Sequence, residues 1–331
     1  MPDLPIYPLR FDPIFQYRLW GGRHLADWSD EPLPDGPIGE AWLLSDREDN
    51  PSRVSDGPLE GQTIAQLIER SPAWLLGKLA LRFQRFPLLL KFLDVSQMLS
   101  VQVHPSDAHP NLIPPGESGK SEGWVVLESS PAARIYAGLK PGVAAQALRT
   151  LSLQTVDDCL ASFTPVPGQS VLVEAGTVHS LGDGVVVLEV QQNSDITFRL
   201  YDWDHIDPKL HRPRPLQIEQ ALQCIEMEQR MIGPVTPFVE TTKPVRRERL
   251  LDCSHFRVWR VTGSDPFVIG VADAPTVLVC LEGTGAIKQG GREFAMKTGA
   301  VMLLPAAAGI CSFRPDGHVQ VLEIVVPDGW E

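Results

Sequence analysis

Apolar residues in this chain fall mostly into short runs bounded by glycine, proline and polar residues, which is the pattern of β-strands. We predict strands at 41–44, 88–103 (one or two strands), 123–128, 133–138, 170–174, 185–190 and 196–201, and only short strands from residue 249 onward. The 30 prolines and 27 glycines indicate many turns. The sequence therefore predicts a mainly β fold.

Helical spacing of apolar residues occurs in three places. Thr63, with Gln66 three residues later, fits a capping box at the start of a short amphipathic helix. Apolar residues recur at helical spacing within 142–162, which predicts a small helical insertion, and again at 218–225. The proline-rich segment 233–244 is predicted to be a linker.

A weak internal repeat connects the two halves of the chain. Residues 168–179 and 299–310 share a glycine, an apolar run and a turn of small residues, which predicts a hairpin in each copy. The position of His179 in the first copy is held by Ile310 in the second. The second copy therefore cannot bind a metal there, and this contrast suggests that His179 does more than pack.

Composition excludes several classes of protein. The 331 residues are enough for one large domain or two ordinary ones, and no apolar run predicts a membrane span or a signal segment. The five cysteines never form a C-x-x-C pattern, which favours the reducing cytoplasm over a disulfide framework. A net charge of −12 argues against nucleic-acid and anionic-membrane partners, while a small anionic substrate remains possible if cations converge locally.

The stretch around Gln102 places three polar side chains on one face of an apolar strand. Ser100, Gln102 and His104 alternate in sequence, so in a strand they point the same way. Burying them without partners would cost on the order of several kcal/mol. A metal ion with its substrate would supply those partners; the alternative is a half-exposed strand edge with an ordinary core histidine.

Two further residues complete a candidate metal site. Glu122 opens a predicted strand and His179 lies at the turn that ends another. With His104 and Gln102 they would offer two imidazoles, a carboxylate and an amide oxygen, a donor set that suits a divalent ion, zinc above all. The alternative for Glu122 is a solvated charge at a strand start.

Three cations are candidates for an anionic substrate. Lys91 lies within an apolar run, where an unpaired ammonium would be costly; the alternative is a lysine that snorkels from an edge strand. Lys120 could equally be an ordinary loop lysine, and Arg199 could form a surface ion pair with Asp195 or Asp202. Together with the nearby serine, these cations suit a phosphorylated sugar beside a metal.

The chain resembles the type I mannose-6-phosphate isomerase family over residues 5–215. The resemblance rests on residues 86–94 (FPLLLKFLD), 99–105 (LSVQVHP), 119–122 (GKSE), 175–182 (AGTVHSLG) and 189–203 (EVQQNSDITFRLYDW). It implies two cupin (jelly-roll) barrels: a catalytic domain at 1–238, with the helical insertion at about 142–162, and a metal-free domain at 239–331. Glu174 and Ser121 depart from the usual family residues without removing a proposed ligand.

The resemblance also implies roles for individual residues. One Zn²⁺ per chain would be held by Gln102, His104, Glu122 and His179. Substrate binding would fall to Ser100, Lys91 and Lys120, and catalysis to Arg199, Glu189 and Lys120.

The implied reaction is a zinc-dependent interconversion of mannose 6-phosphate and fructose 6-phosphate through a cis-enediol. Zinc would polarise the oxygens on C1 and C2. Arg199 would stabilise the anionic transition state, and Glu189 or a zinc-bound water would move the proton; the sequence leaves that choice open.

Other functions are weighed against this one. A ferrous cupin oxygenase would usually present His-x-His, whereas this strand presents Gln102-Val-His104. A non-catalytic sugar-phosphate-binding cupin and an isomerase of another sugar phosphate both remain open, as does the oligomeric state.

Overall fold

The computed structural model describes residues 4–209, 211–228 and 231–328, and it is built mostly from strands. The strands before residue 230 are β1 Leu9–Arg10, β2 Ile14–Gly22, β3 Ile38–Leu44, β4 Asp46–Arg47, β5 Asn50–Pro51, β6 Leu88–Val95, β7 Val101–Val103, β8 Glu122–Ser129, β9 Arg134–Leu139, β10 Leu160–Phe163, β11 Ser170–Val173, β12 His179–Gly182, β13 Val185–Gln192, β14 Phe198–Tyr201, β15 Ile206–Asp207 and β16 Arg212–Pro213. Those after it are β17 Phe238–Thr241, β18 Arg246–Asp252, β19 Arg257–Gly263, β20 Phe267–Ile269, β21 Thr276–Glu282, β22 Thr284–Gln289, β23 Arg292–Lys297, β24 Val301–Leu304, β25 Cys311–Pro315 and β26 Val319–Val325. The predicted mainly β fold is confirmed.

The helices are short. They are α1 Ile64–Arg70, α2 Pro72–Leu76, α3 Ala145–Leu148, α4 Val156–Cys159 and α5 Ile218–Cys224, with 3₁₀ turns at His24–Trp28, Gly57–Leu59, Gly77–Leu81, Pro110–Leu112 and Ala306–Ala308. Helices α3 and α4 lie in the predicted insertion, and α5 confirms the helix predicted at 218–225. No helix in the described part of the chain is long and apolar enough to cross a membrane.

The predicted capping box at the start of α1 is present. Thr63 Oγ1 accepts a hydrogen bond from the Gln66 amide at 3.2 Å, and Gln66 Oε1 accepts one from the Thr63 amide at 2.9 Å. Two amides at the helix start are thereby satisfied. Ile64, Leu67 and Ile68 are buried, so this helix packs by the apolar stripe that the sequence predicts.

The first barrel is made of two facing sheets. One has the strand order β11-β8-β13-β6-β2-β3, and the other has the order β10-β9-β12-β7-β14. Every residue of β6 and β13 is buried. Alternation explains this: Leu93 and Val187 face the barrel interior, whereas Phe92 and Leu188 face a core shared with the C-terminal strands.

The C-terminal strands form a second pair of sheets. Their orders are β1-β24-β21-β26-β19-β18-β17 and β20-β25-β22-β23, around an apolar interior that includes Met302 and Phe313. Strand β1 comes from the other end of the chain and pairs Leu9 with Leu303. The division at 238/239 remains a prediction, and its outer ends, residues 1–3 and 329–331, lie outside the described residues.

Two local predictions are wrong. The segment 233–244 is not only a linker, because it contains β17, which pairs Phe238 with Arg249. The repeat does not form hairpins either, since β11 and β12 lie in different sheets, as do β24 and β25. In both copies the turn carries the chain across the barrel, and this crossing brings His179 to the wall opposite β8.

Candidate metal centre and substrate cavity

The five-stranded sheet presents a row of three side chains across neighbouring strands. Gln102 on β7 is paired in register with His179 on β12 and with Arg199 on β14. Ser100 Oγ donates to Gln102 Oε1 at 3.1 Å, so these two residues share a face as predicted. The sheet register therefore brings together residues that are far apart in sequence.

Both imidazoles are held in the form that can bind a metal through Nε2. His104 Nδ1 lies 2.7 Å from the Ile196 carbonyl oxygen, and His179 Nδ1 lies 2.9 Å from that of Thr177. A carbonyl can only accept, so each Nδ1 carries a proton, and in the neutral form of the ring Nε2 then keeps its lone pair for a metal. Burial, and then the charge of Lys120, lower the pKa of His104 to about 3, which keeps this ring neutral.

Glu122, the first residue of β8, completes the cluster from the opposite sheet. Its Oε2 lies 3.4 Å from His104 Nε2, and its Oε1 lies 3.2 Å from His179 Nε2. The three residues offer ligand atoms that all lie within 4.8 Å of one another. Glu122 is 1% exposed, and its Oε1 has no hydrogen-bond partner. An orphaned carboxylate oxygen between two imidazole lone pairs fits a bound cation.

Gln102 can serve as a fourth ligand. Its amide nitrogen is placed 3.2 Å from His179 Nε2. The two ends of an amide have the same shape, so either can face the cluster, with the other toward Ser100. With the oxygen inward the donor set becomes two nitrogens and two oxygens, which zinc accepts.

Lys120 lies against the metal ligands. Its Nζ donates to Glu122 Oε2 at 2.6 Å and lies 3.1 Å from His104 Nε2. Burial alone would raise the pKa of Glu122, but the charge of Lys120 opposes burial and holds that pKa well below the usual value. Lys120 is 4% exposed, so neither the loop-lysine alternative nor a solvated Glu122 describes the structure.

The six-stranded sheet presents a second row. Lys91 on β6 is paired in register with Trp42 on β3 and with Glu189 on β13, which in turn is paired with Trp124 on β8. Trp124 Nε1 donates to Glu189 Oε2 at 3.2 Å, and Lys91 Nζ lies 5.0 Å from the centre of the Trp42 ring. Because β6 is a central, fully buried strand, the snorkelling alternative for Lys91 is wrong.

Lys91 is surrounded by carboxylates. Its Nζ lies 3.3 Å from Asp195, 3.6 Å from Glu189 and 3.9 Å from Glu40. Burial by itself would lower the pKa of Lys91, but these three charges raise it above its ordinary value. Burial, and then the charge of Glu122, raise the pKa of Glu189.

A cavity of about 300 Å³ opens between the two rows. Six residues that the sequence singles out line it: Lys91, Ser100, Gln102, Lys120, Glu189 and Arg199. Arg199 is half-buried, and its buried Nε has no hydrogen-bond partner among the described residues. Arg214 forms the ion pair with Asp202, with Nε 2.8 Å from Oδ2. The ion pair proposed between Arg199 and Asp202 is therefore replaced by one with Arg214.

Sequence reasoning missed several residues of the cavity wall. Arg18 donates to both oxygens of Glu40, at 3.0 and 2.9 Å, and both line the cavity, as do Asp195 and Arg214. A signal for Glu40 was available, since a carboxylate inside the apolar run 38–44 needs a buried partner. Asp195 follows β13 in a loop, and nothing in the local sequence marks it as the partner of Lys91.

Fold and site together define a cupin with a candidate metal centre beside a charged cavity. The model of the family described as "Phosphomannose isomerase type I, catalytic domain" matches residues 9–115. A mannose-6-phosphate isomerase of Bacillus subtilis (strain 168) is 33% identical over 95% of this chain and 98% of its own length. One from Streptococcus mutans is 30% identical over 95% of this chain and 97% of its own.

The solved structures agree. The crystal structure of a mannose 6-phosphate isomerase from Bacillus subtilis superposes with a TM-score of 0.85 at 27% identity, covering 96% of this chain and 99% of that one. The chain belongs to the type I phosphomannose isomerase family. It is thus an enzyme of the aldose–ketose isomerase class.

Proposed function

We propose that the chain is a zinc-dependent isomerase that interconverts mannose 6-phosphate and fructose 6-phosphate through a cis-enediol. The observation that carries the proposal is the buried convergence of His104, Glu122 and His179 beside a cavity lined with cations and carboxylates. The names of the relatives support the choice of substrate.

The metal would be held by Gln102, His104, Glu122 and His179. When bound, zinc supplies a Lewis acid that polarises the oxygens on C1 and C2 of the sugar. The chain contributes a buried cluster, and the Nδ1 hydrogen bonds fix the direction of each ring.

Substrate binding is assigned to Ser100, Lys91 and Lys120, which would contact different parts of the sugar phosphate. The contacts of the two lysines support different roles for them, because Lys91 lies beside three carboxylates and Lys120 lies beside Glu122. The carboxylates neutralise much of the positive charge of Lys91 and Lys120 before substrate binds. The two lysines are therefore suited to orienting the sugar phosphate, and less suited to binding its phosphate dianion without further partners. Lys120 also touches the metal ligands, so it acts at the reacting end of the sugar.

Glu189 is the group that we assign to proton transfer between C2 and C1. Its carboxylate lines the cavity and is held by Trp124 on one oxygen and by Lys91 near the other. Its raised pKa brings it closer to the pH at which a carboxylate can both take and return a proton.

Arg199 is assigned to the anion that develops on the sugar oxygens. Among the cavity cations it has a buried Nε without a partner, and burial followed by the nearby Arg214 lowers its pKa. Both features mean that the guanidinium of Arg199 would stabilise negative charge that develops on a sugar oxygen beside it.

The proposal also includes a cytoplasmic location, which the free form of the five buried cysteines supports. Its decisive test is a coupled assay for fructose 6-phosphate formed from mannose 6-phosphate, run before chelation, after it, and after zinc is restored. We expect activity to vanish on chelation and to return with zinc. Full activity in metal-free enzyme, or no turnover of mannose 6-phosphate by the zinc-loaded enzyme, would overturn the proposal.

A further inference from the structure

The segment that carries Lys120 and Glu122 into the site is held from behind by side chains. Residues 119–121 precede β8 and belong to no helix or strand. Their three successive amides are all satisfied from outside the segment: Gly119 N donates to Asp107 Oδ1 at 2.6 Å, Lys120 N to the Pro105 carbonyl at 3.0 Å, and Ser121 N to Gln192 Oε1 at 2.9 Å.

The two side-chain acceptors are joined to each other. Gln192 Nε2 donates to Asp107 Oδ2 at 3.0 Å, which closes a continuous bridge from the Gly119 amide to the Ser121 amide. The Gln192 backbone amide also donates to the Ser121 carbonyl at 3.1 Å. We define this bridge, Asp107 with Gln192, as the clamp.

Close contact at Gly119 gives independent evidence that the path of the segment is fixed. A side chain at Gly119 would place its Cβ 2.6 Å from the Asp107 amide nitrogen and 3.0 Å from the Pro105 carbonyl oxygen. The segment is thus pressed against the turn that follows His104, and any other residue there would push it away.

We propose that Asp107 and Gln192 are positioning residues that set where Lys120 Nζ and Glu122 lie relative to the two imidazoles. Neither is among the described residues that line the cavity, so neither acts on substrate directly. They act on the main chain on both sides of Lys120, whose Nζ lies 2.6 Å from Glu122 Oε2 and 3.1 Å from His104 Nε2. A displacement of about 1 Å in such a group can cost roughly a hundredfold in rate. The inference rests on the proposed function of Lys120 and Glu122.

In the clamp a carboxylate accepts from an amide, so exchanging the acid and the amide between positions 107 and 192 tests the proposal. In Asp107→Asn the new NH₂ group faces the NH₂ group of Gln192, so two donors meet. Turning the new asparagine amide would place its NH₂ against the Gly119 amide, and turning the Gln192 amide would place its NH₂ against the Ser121 amide. In Gln192→Glu two carboxylates face each other. The double variant, which combines Asp107→Asn with Gln192→Glu, reverses the direction of the hydrogen bond between the two side chains. The Gly119 and Ser121 amides keep their acceptors in that variant, so the bridge is restored.

We expect each single variant to lower kcat about tenfold or more, with a smaller change in KM, and to weaken zinc binding about 10- to 100-fold in competition with a chromogenic chelator. The double variant should recover most of both losses. Ser106→Ala is the matched control, because its hydroxyl lies 2.9 Å from His109 Nδ1 and belongs to the same turn without touching the segment. It should match the wild type in kcat and in zinc affinity.

Two results would overturn the clamp. One is a fall in thermal stability of the single variants with kcat and zinc affinity of the folded enzyme unchanged, which is what a purely structural role predicts. The other is a double variant as impaired as the sum of the singles. If the wild type bound zinc but did not turn over mannose 6-phosphate, the proposed function would fail, while the zinc competition would still decide the role of the clamp.

Discussion

Glu189 and Lys91 lie directly opposite each other on β13 and β6, with Oε1 3.6 Å from Nζ in the wall of the cavity. Each buried charge makes the other tolerable, and their row also carries Trp124, which donates to the far oxygen of Glu189. Of the metal ligands, Gln102 and His179 lie on the facing sheet, and Glu122 begins β8, which neighbours β13 in the same sheet as this pair. This cross-strand pair therefore places Lys91, which we assign to substrate binding, directly beside Glu189, which we assign to proton transfer.

Replacing Lys91 by methionine should destabilise the fold strongly. The change leaves Glu189 buried without its cation, and removing one partner of a buried ion pair costs roughly 3–5 kcal/mol. Urea denaturation measures the loss. Adding Glu189→Gln to Lys91→Met should return part of that free energy, because a neutral amide needs no counter-charge. A loss below about 1 kcal/mol for Lys91→Met would show that the pair is not a coupled buried unit.

Arg199→Ala should lower kcat more than it raises KM. The side chain has a buried Nε without a partner, so its charge is available where negative charge develops in the transition state. Steady-state kinetics on Arg199→Ala and Arg199→Lys check this, and the lysine variant should recover only part of kcat because it lacks the planar fork. A raised KM at unchanged kcat would instead make Arg199 a binding residue.

Zinc should raise the melting temperature of chelator-treated enzyme. Binding satisfies the orphaned Glu122 Oε1, and a ligand at a hundred times its Kd stabilises the native state by about 2.7 kcal/mol. Differential scanning fluorimetry with and without zinc measures the shift. His179→Ala should abolish it, and Mg²⁺ should produce none, since Mg²⁺ prefers oxygen ligands. An equal shift in His179→Ala would place the zinc elsewhere.

The metal ligands could be found from the sequence because each is an anomaly within its own segment. His104 ends an apolar strand, Glu122 opens one, and His179 differs from Ile310 in the matching repeat. Ile310 is 62% exposed whereas His179 is fully buried, so the two repeat copies use that position in opposite ways.

Other features could not be found because they depend on which strands pair over long distances. A strand–turn–strand pattern looks the same whether the chain folds back within one sheet or crosses to the facing sheet, so the hairpins at 168–179 and 299–310 were predicted wrongly. The Arg18–Glu40 pair and the approach of Asp195 to Lys91 join the early strands to the loop after β13. No local signal specifies those contacts.

Thr63→Ala should cost about 1 kcal/mol of stability without changing kinetics. The side chain caps α1 in a reciprocal pair with Gln66, and neither residue is among those that line the cavity. Thr63→Ser keeps the hydroxyl and should stay close to the wild type. Chemical denaturation and the isomerase assay on both variants test this, and an altered kcat in Thr63→Ala would show that α1 is coupled to the site.

The acid limb of the kcat/KM profile should lie above the ordinary glutamate range. Burial raises the pKa of Glu189 above its usual value of 4.5, so the basic carboxylate is lost at a higher pH as the solution is acidified. Lys91 opposes this rise, and Lys91→Met should therefore move the limb further up. Because a folded fraction that changes with pH would itself reshape the profile, the folded fraction of the variant is measured at each pH and the rates are divided by it.

The comparison between enzymes is the test, because a sugar phosphate itself titrates near pH 6, as phosphoserine does, and contributes equally to both profiles. Glu40→Gln is the opposite comparison: the charge of Glu40 helps to raise the pKa of Glu189, so removing that charge should move the limb down rather than up. An unchanged acid limb in Lys91→Met would remove Glu189 as the base, and Glu189→Gln should then retain turnover instead of losing it.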